Sequence, residues 1–474
     1  MSDLTDVEVD ARAWPTWRKI TTVIFVAGFA FLSTSASSII APGREQIEAD
    51  FHTSRTVSVL PFSIFNLGLA WGSVIGSPIS ESHGRKIVYL FVMPASLVFV
   101  LGSGFSKSLA SLLVCRFLGG LCGSPGLTLA SATIADVYKP GRARGVALYG
   151  YYSMPWVGSV LGPLIGSVVV AYRPWQWTQW VFLFIAVPMV LPGLLMLKET
   201  KLSVLEAKVE KEGNPYSWRD TANPTHLKTR LTAATKAVPK YFRSSLLRPL
   251  EMLSTELIVA LVCLYAGFNF GLIYALVIVF PDIFSHTYGF DTIDQGLSFL
   301  GLIVGCILGP TLLIVDGEIV ERRRARMIDQ EKLASEEKLP PEARLHGAMI
   351  GSVLLPVGLL WFAWTAQPSI SFLSSIFASV LITLGALMIY VSTSAYVVDV
   401  YGPRYGASAN AASSITRYTL AAAIPLFILQ MYDGLGIGWA TTLLAVCALV
   451  MMPIPFCLFK WGPALRRRCK FQVE

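Results

Sequence analysis

Charged side chains inside otherwise apolar stretches are the residues of this sequence that could do chemistry. Arg116 lies about seven residues inside one such stretch and Arg417 about eleven residues inside another, which is roughly 10 Å or more along a helix. An ionised side chain at that depth in lipid costs a few kcal/mol, so each should face a cavity or a partner. One interpretation is a role linked to substrate or proton movement. The other is a cation tied to backbone carbonyls at a helix break.

A second group of charges lies at the ends of apolar stretches. The charges are Glu81, Arg85 and Lys86 in one segment and Asp136 in another, and Gly84 lies at the turn between Glu81 and Arg85. We call these five residues the charge latch. Opposite charges on neighbouring helices can hold one conformation and release it in another, since each exposed pair is worth only ~0–1 kcal/mol. The alternative is that the cations merely keep these helix ends in the cytoplasm, although the two acids have no part in such anchoring.

Motifs of the common membrane enzymes and pumps are missing from the sequence. It has no HExxH zinc motif, no GxSxG nucleophile turn and no GxxxxGK[ST] nucleotide loop, and its seven cysteines form no CxxC pair. We therefore expect neither a metal nor a cofactor, and an activity other than catalysis.

The composition indicates that helices in a lipid bilayer position these residues. Of 474 residues, 54% are hydrophobic and only 14% are charged, whereas soluble domains are about a quarter charged. A helix needs about 20 apolar residues to cross a bilayer, and twelve stretches of suitable length are present. They lie near 18–41, 56–80, 87–105, 109–136, 144–171, 178–197, 252–281, 294–316, 347–366, 370–398, 406–431 and 437–460.

The distribution of lysine and arginine indicates how these helices are oriented. With a cytoplasmic N-terminus, 32 of the 38 Lys and Arg residues fall on the cytoplasmic side, four outside and two within spans. Because positively charged loops resist translocation, both termini are expected in the cytoplasm. The same asymmetry explains the net charge of +8, so nucleic acid is not expected as a partner.

Two local repeats relate the first six spans to the last six. A ladder of three glycines recurs at an offset of 233 residues, as Gly68, Gly72 and Gly76 and then as Gly301, Gly305 and Gly309. The run 136–140 recurs as 399–403 at an offset of 263 residues, and the 30-residue difference matches a charged insert at 317–346. Two related halves favour alternating access, with substrate between them near the middle of the membrane. The ladders would let helices slide or simply pack closely.

The predicted fold class is an all-α membrane protein with twelve transmembrane helices in two pseudo-symmetric six-helix bundles. The predicted regions are a cytoplasmic tail (1–17), an N-terminal bundle (18–197), a cytoplasmic central loop (198–251), a C-terminal bundle (252–460) with the cytoplasmic insert 317–346, and a basic cytoplasmic tail (461–474). An amphipathic helix over 323–336 is a further possibility within the insert.

Polar and aromatic residues within the spans are candidates for lining a central cavity. They are Ser33, Ser37, Asn66, Tyr149, Asn269, Tyr274, Asn410 and Tyr418. Asn66 and Asn269 lie in the middle of spans, where an unsatisfied amide is costly unless it meets a ligand, water or a neighbouring helix. The alternative for each residue is a hydrogen bond between helices. No carboxylate lies near the centre of a first-half span, so the residues themselves show no proton relay.

Several of these motifs resemble those of the major facilitator superfamily, and more narrowly of the fungal drug:proton antiporters of the twelve-span type. The run 77–86 looks like the family signature between spans two and three, with Ser77 in place of a glycine. The run 116–120 is similar to an Arg-x-x-x-Gly element, and 198–200 resembles the close of span six. The fifth span carries what looks like the glycine–proline element associated with antiporters: Gly158, Gly162, Pro163 and Gly166.

The resemblance implies a secondary active transporter in the plasma membrane. Such a protein would export small amphipathic compounds, such as drugs, toxins or secondary metabolites, by alternating access in exchange for protons. The resemblance supports a functional role more strongly for Arg116 than for Arg417. The alternative is proton-coupled or facilitative uptake of a small nutrient or a polyamine. The expected partners are a small-molecule substrate, protons and the lipid bilayer, and we expect a monomer.

Reversing the charge of Glu81 tests the charge latch. If the acid biases the equilibrium between two conformations, Glu81→Lys should sharply reduce the transport rate while the amount of protein in the membrane stays the same. Transport assays beside immunoblots of membrane fractions measure both quantities. Normal transport kinetics in this variant would contradict the proposed role of the charge latch.

Overall fold

The computed structural model describes residues 10–139, 141–202, 204–205, 247–329, 340–467 and 469–471 of the chain. The side chains at 77–78, 81–83, 319–329, 403–404 and 407 lie outside that description. Glu81, one member of the charge latch, is therefore placed only by its backbone, at the end of a helix.

The first half consists of six long helices. They are α1 (Thr16–Ser38), α2 (Arg55–His83), α3 (Arg85–Gly104), α4 (Leu109–Val137), α5 (Arg142–Tyr172) and α6 (Gln176–Met196). Between α1 and α2 the chain forms a short helix, Arg44–Phe51, that lies on the predicted extracellular side. No β-strand occurs in the described part of the chain.

The second half contains six further helices, three of which are joined without a loop. The separate helices are α7 (Leu257–Tyr288), α8 (Leu300–Asp329) and α9 (His346–Thr365). The helical run Phe372–Met451 is interrupted by non-helical backbone at Gly402 (φ 58°) and Gly436 (φ 74°). It therefore comprises α10 (372–401), α11 (403–435) and the start of α12 (437–451), which Pro453–Arg466 continues. Only glycine adopts these backbone angles without strain, which explains why the breaks fall there.

Eleven helical segments in the described residues are long and apolar enough to cross a membrane. The last of them, Ser408–Arg466, is 59 residues long and contains the Gly436 break, so it provides two crossings. The twelve-helix, all-α fold class predicted from the sequence is thus confirmed.

Two predicted boundaries differ from the structure. The seventh span was expected at 252–281, but Glu256 has extended backbone that separates a short helix, Arg248–Thr255, from α7, and α7 continues to Tyr288. The eighth span was expected to end at 316, whereas α8 runs to Asp329 inside the charged insert. Glu, Arg, Ala and Met in that stretch are strong helix formers, so nothing stops the helix where its apolar face ends. The rest of the possible helix 323–336 lies outside the described residues.

The glycine ladders close-pack one helix pair in each half. A Cβ atom added at Gly72 would lie against the carbonyl oxygen of Leu121, which places α2 directly on α4. A Cβ added at Gly305 would lie 2.7 Å from the carbonyl oxygen of Val380, which places α8 on α10. The two ladders therefore make equivalent contacts, as two related halves require. Both contacts lie inside a half. Each half can therefore move as one body while the two helices joined at its glycine ladder keep their relative position.

The C-terminal segment folds back onto the predicted cytoplasmic end of the second half. The backbone N–H of Lys470 donates to Glu256 Oε1 (2.7 Å), and its ammonium group donates to Glu251 (2.8 Å), which raises the pKa of Lys470. Burial, followed by hydrogen bonding to Glu256, raises the pKa of the neighbouring Cys469 thiol to about 11. This thiol is therefore protonated and unreactive near neutral pH.

Alanine substitutions in the ladders test whether backbone contact holds each half together. Gly72→Ala and Gly305→Ala should each lower the free energy of unfolding by about 1–3 kcal/mol, because the added methyl group pushes two backbones apart. Denaturant unfolding of the purified protein in detergent measures this. Gly150→Ala is the matched control, since a Cβ there has no neighbour within 4 Å. Equal stability of Gly72→Ala and Gly150→Ala would contradict the packing role.

Candidate functional site

The two halves meet along two helix pairs. On one side α2 lies against α11, where Thr56 hydrogen-bonds to Gln430. On the other side α5 lies against α8 and the segment before it, where a Cβ at Gly296 would contact Ser167 Cβ at 2.7 Å. Residues that face this interface come from different halves, so their contacts must change if the halves move relative to each other.

An ion-pair network closes the interface at its predicted extracellular end. Asp282 on α7 accepts hydrogen bonds from Arg44 (2.9 Å) and from Arg55 (2.9 Å), which belong to the first half. Arg55 also contacts Asp433, near the end of α11, at 2.6 Å. The side chains of Arg44 and Asp282 are only 9% and 13% exposed, so these pairs are less screened by solvent than surface pairs. We call these four residues the outer ion-pair network.

Contacts at the predicted cytoplasmic end of the interface are more exposed. Arg142 at the start of α5 pairs with Glu318 on α8. Arg344, just before α9, donates to Asp399 at 3.0 Å in its own half and to the Tyr149 hydroxyl of the first half at 3.2 Å. The Arg344 and Asp399 side chains are both 43% exposed. Water competes for these groups, so this end is held less firmly than the outer end.

Aromatic rings fill the interface near the middle of the helices. We call them the aromatic cluster: Phe62, Tyr152 and Trp156 from the first half, and Phe270, Tyr274, Tyr390 and Tyr418 from the second. Trp156 touches both Phe270 (ring centroids 5.3 Å apart) and Tyr390 (5.8 Å) across the interface. Such a set of faces and edges suits flat, apolar ring systems.

Arg417 lies beside the aromatic cluster. Its guanidinium carbon is 4.6 Å from the ring centroid of Tyr390 and 5.3 Å from that of Phe270. Its donors reach the Ser413 carbonyl (3.3 Å) and the Ser414 hydroxyl (3.0 Å) on its own helix. Among the described side chains no carboxylate lies within ion-pair distance of this cation.

Arg116 is placed differently, inside the first half. It is fully buried and donates to three backbone carbonyls, those of Pro61 (3.0 Å), Ala36 (2.7 Å) and Ser37 (2.8 Å). The Phe65 ring covers its guanidinium group, 4.5 Å from the centroid. These contacts join α4 to α1 and α2, which is the geometry expected of a cation tied to backbone carbonyls.

Four of the cavity candidates, Asn66, Tyr274, Asn269 and Asn410, lie in different environments. Asn66 is satisfied within its half, accepting from Ser37 (2.8 Å) and donating to the Phe62 carbonyl (3.1 Å). Tyr274 belongs to the aromatic cluster and accepts from Ser159 of the other half (2.9 Å). Asn269, next to Phe270, is fully buried, and its Oδ1 atom has no hydrogen-bond partner.

Asn410 lines a small cleft between α7, α10 and α11. Its other lining residues are Val262, Cys263, Ser394, Val397, Ala409 and Ser413. The cleft lies on the cytoplasmic side of Arg417 and reaches the turn of α11 that carries Ser413. The structure thus brings Asn410, Asn269, Tyr274 and Arg417 to one region of the second half, whereas Asn66 and Arg116 lie apart from it.

The described members of the charge latch meet at the predicted cytoplasmic end of the first half. Gly84 joins α2 to α3, and Arg85 Nε contacts Asp136 Oδ2 at 3.4 Å. Glu199, which follows α6, accepts from the backbone N–H groups of Arg85 (2.9 Å) and Lys86 (3.0 Å). An acid at this position caps the first turn of α3, where the helix dipole favours negative charge. These contacts tie α3, α4 and the exit of α6 together.

The glycine–proline element packs α5 on α1. Cβ atoms at Gly158 and Gly166 would meet the carbonyl oxygens of Phe31 and Ile39, and one at Gly162 would meet the Ser38 hydroxyl. The Ser35 and Ser38 hydroxyls donate to the Gly158 carbonyl at 3.2 and 3.1 Å. Pro163 is buried in the same contact. The element therefore holds the helix that carries Trp156 at a fixed distance from α1.

The sequence pattern does not identify three parts of this arrangement. It does not distinguish Trp156 and Phe270 from the many other aromatic residues of the spans, and it includes Glu199 only as part of the run 198–200. The outer ion-pair network had a usable signal, because Arg44 and Arg55 are two of only four cations assigned to the extracellular side. An acid such as Asp282, near the same end of a span, was their natural partner.

Comparisons with known proteins agree on the family. The model of the Major Facilitator Superfamily matches residues 23–425. The chain is 32% identical over 99% of its length to the "Efflux pump FUB11" of Gibberella moniliformis, covering 77% of that protein. It is 32% identical over 98% of its length to the "MFS-type transporter traF" of Penicillium crustosum, covering 91%. It is 31% identical over 97% of its length to "Polyamine transporter 4" of Saccharomyces cerevisiae, covering 71%.

A solved structure shows the same fold. It is the proton:xylose symporter XylE of the major facilitator superfamily bound to 6-bromo-6-deoxy-D-glucose, with a TM-score of 0.65 and 13% identity. The alignment covers 95% of this chain and 97% of that one. Two similar halves, an interface at mid-membrane and the matching family model lead to one conclusion: the chain is a membrane transporter that belongs to the major facilitator superfamily.

Proposed function

We propose that this transporter exports small amphipathic compounds by alternating access, in exchange for protons. The observation that carries the proposal is the aromatic cluster, which lies at mid-membrane and draws its rings from both halves. A compound bound among these rings would contact both halves at once. Binding would therefore be linked to their relative position, as alternating access requires.

The contacts within and between the halves support movement of two bodies. Backbone-to-backbone packing at glycines holds each half together, whereas ion pairs and hydrogen bonds join the halves at both ends. In the described conformation the outer ion-pair network closes the extracellular end. Breaking it would open a path from the aromatic cluster to the outside.

Outward transport is supported by two features. Three relatives at 31–32% identity are named efflux pumps, and α5 carries the glycine–proline element associated with antiporters. The distribution of lysine and arginine supports cytoplasmic termini. We further propose that the protein works as a monomer in the plasma membrane.

Asp282 is the acid on which the outer ion-pair network depends most. It is the one acid in that network that binds two arginines from the opposite half. Removing its charge would release Arg44 and one contact of Arg55, while Asp433 would keep its pair with Arg55. We therefore propose that loss of the Asp282 contacts accompanies opening of the extracellular end.

Uptake of a polyamine or small nutrient is the alternative. The similarity to a polyamine transporter favours it. Arg417 opposes it for polyamines, because a cationic substrate beside this buried guanidinium group would be repelled.

Export of matched fluorescent compounds tests the proposed function. We suggest pyrene carboxylate, pyrene carboxamide and pyrenemethylamine, loaded into yeast cells that lack their own drug pumps. Cells that express the protein should lose at least one compound several-fold faster than empty-vector cells. A protonophore should abolish the difference while cellular ATP is kept constant. Faster accumulation instead of loss would favour the uptake permease, and insensitivity to the protonophore would rule out proton exchange.

Asp282→Asn, which mimics the protonated acid, tests the outer ion-pair network. Val59 lies on the face of α2 between Arg55 and Phe62, both of which contact the other half, and is 1% exposed. In a cysteine-free background with Val59→Cys, Asp282→Asn should raise labelling by an impermeant maleimide at least tenfold, which corresponds to about 1.4 kcal/mol.

Asp291→Asn is the matched control for this experiment. Asp291 lies on the same side of the membrane, but its carboxylate accepts only from the backbone N–H groups of Ile293 and Asp294 in its own half. This variant should leave labelling unchanged. Equal labelling of Asp282→Asn and Asp291→Asn would contradict the gating role.

A further inference from the structure

Arg417 is a cation without a counter-charge at the interface between two halves that must separate. The side chain is only 5% exposed. Its surroundings are the rings of Tyr390, Phe270 and Tyr418, with centroids 4.6, 5.3 and 5.5 Å from the guanidinium carbon. The two donated bonds to Ser413 and Ser414 stay within one turn of its own helix.

Arg116 is a useful comparison, because it is a buried arginine whose donors are taken up by backbone carbonyls. Three backbone carbonyls from two other helices take its donors, so its charge is matched by fixed dipoles. In the described residues Arg417 receives no backbone carbonyl from another helix; it meets the faces of aromatic rings and the Tyr390 side chain. Those faces offset only part of the cost of keeping a cation out of water. An anion would offset much more.

Two further polar groups of this region are buried without a hydrogen-bond partner among the described residues. The indole Nε1 of Trp156 has no acceptor, and Asn269 Oδ1 has no donor. Trp156 packs, tilted by 35°, against the Tyr390 ring that covers Arg417, and it comes from the opposite half. Asn269 precedes Phe270, whose ring contacts both Trp156 and Arg417. A buried polar atom is normally satisfied, so an open donor and an open acceptor in the region of a cation point to a ligand.

We propose that the exported compounds are flat aromatic or conjugated acids whose anionic group binds Arg417. The ring system would lie among Trp156, Phe270 and Tyr390. Trp156 Nε1 would donate to an oxygen of the ligand, and Asn269 Oδ1 would accept from a hydroxyl or amide group where the ligand has one. This inference rests on the proposed function and narrows its substrate class.

Such a ligand would join the two halves. Its anion is held by Arg417 of the second half, and its oxygen also bonds to Trp156 of the first. The cleft lined by Ser394, Asn410 and Ser413 supplies polar groups on the cytoplasmic side of Arg417, from which an exported acid would arrive. A cationic or neutral compound would use the rings but would leave the arginine unpaired.

Binding of the matched pyrene compounds to the purified protein tests the inference without any variant. The three compounds share one ring system and differ in charge, so their fluorescence titrations compare a carboxylate, an amide and an ammonium group directly. The carboxylate should bind at least tenfold more tightly than the amide, and the amine should bind most weakly. Equal binding of carboxylate and amide, or no binding of the carboxylate, would overturn the inference.

Variants then assign the preference to Arg417. Arg417→Gln should reduce carboxylate binding to the level of the amide, whereas Arg417→Lys should retain a preference for the carboxylate. Arg173→Gln, which removes an exposed arginine beside Trp177, is the control for the loss of one positive charge. A preference that persists in Arg417→Gln would also overturn the inference.

Failure of this inference is distinguishable from failure of the proposed function. If cells export the amide or the amine as fast as the carboxylate, and Arg417→Gln does not change those rates, the protein is an exporter but the acid preference is wrong. If cells export none of the three compounds although the purified protein binds the carboxylate through Arg417, the acid site stands and export is wrong.

Discussion

The close approach of helix backbones is the constraint on which the rest of this structure depends. In lipid there is little hydrophobic gain from bringing two apolar helices together, so packing must come from contact between atoms. Glycines on α2, α5 and α8 let each helix rest directly on the main chain of a neighbour. Because these contacts lie within the halves, each half is a tightly packed body. The side chains at the interface between the halves are therefore not restricted to small residues by these contacts.

What occupies that interface follows from the same constraint. Bulky rings cannot enter the glycine contacts, but they can fill a boundary that opens and closes. Trp156 comes from a helix fixed by its glycines to α1, and Tyr390 comes from α10, which α8 approaches closely at Gly305. Tight packing behind each ring thus positions it for contact across the boundary. At the outer end, partly buried ion pairs rather than rings hold the halves together.

Much of the fold could be predicted from the sequence, because lipid imposes long apolar stretches and the duplication repeats them. Apolar length does not report where a helix stops in water, and so the ends of α7 and α8 were misplaced. The site was harder to predict. Arg417 and Tyr274 were recognisable as polar groups within spans, but the same criterion selected Asn66, whose bonds stay inside one half. Distinguishing them requires knowing which face of a helix meets the opposite half, and a nearly uniform apolar composition hides that face.

Arg116 on α4 and Arg417 on α11 show two uses of a buried arginine in one protein, on helices that do not correspond in the repeat. Both are buried arginines beside aromatic rings in the middle part of a bundle. In the first half the cation binds carbonyls of two neighbouring helices and contributes to cohesion. In the second half it remains at the boundary, where a mobile partner can reach it.

The contact between Lys470 and Glu256 has a consequence for biosynthesis. These residues are 214 positions apart, and Glu256 begins the first helix of the second half. A ribosome delivers α7 to the membrane long before Lys470 emerges. Until Lys470 has been made, the partners left for the carboxylate of Glu256 are water and Tyr401. This surface of the second half is therefore completed only after α12 has been synthesised.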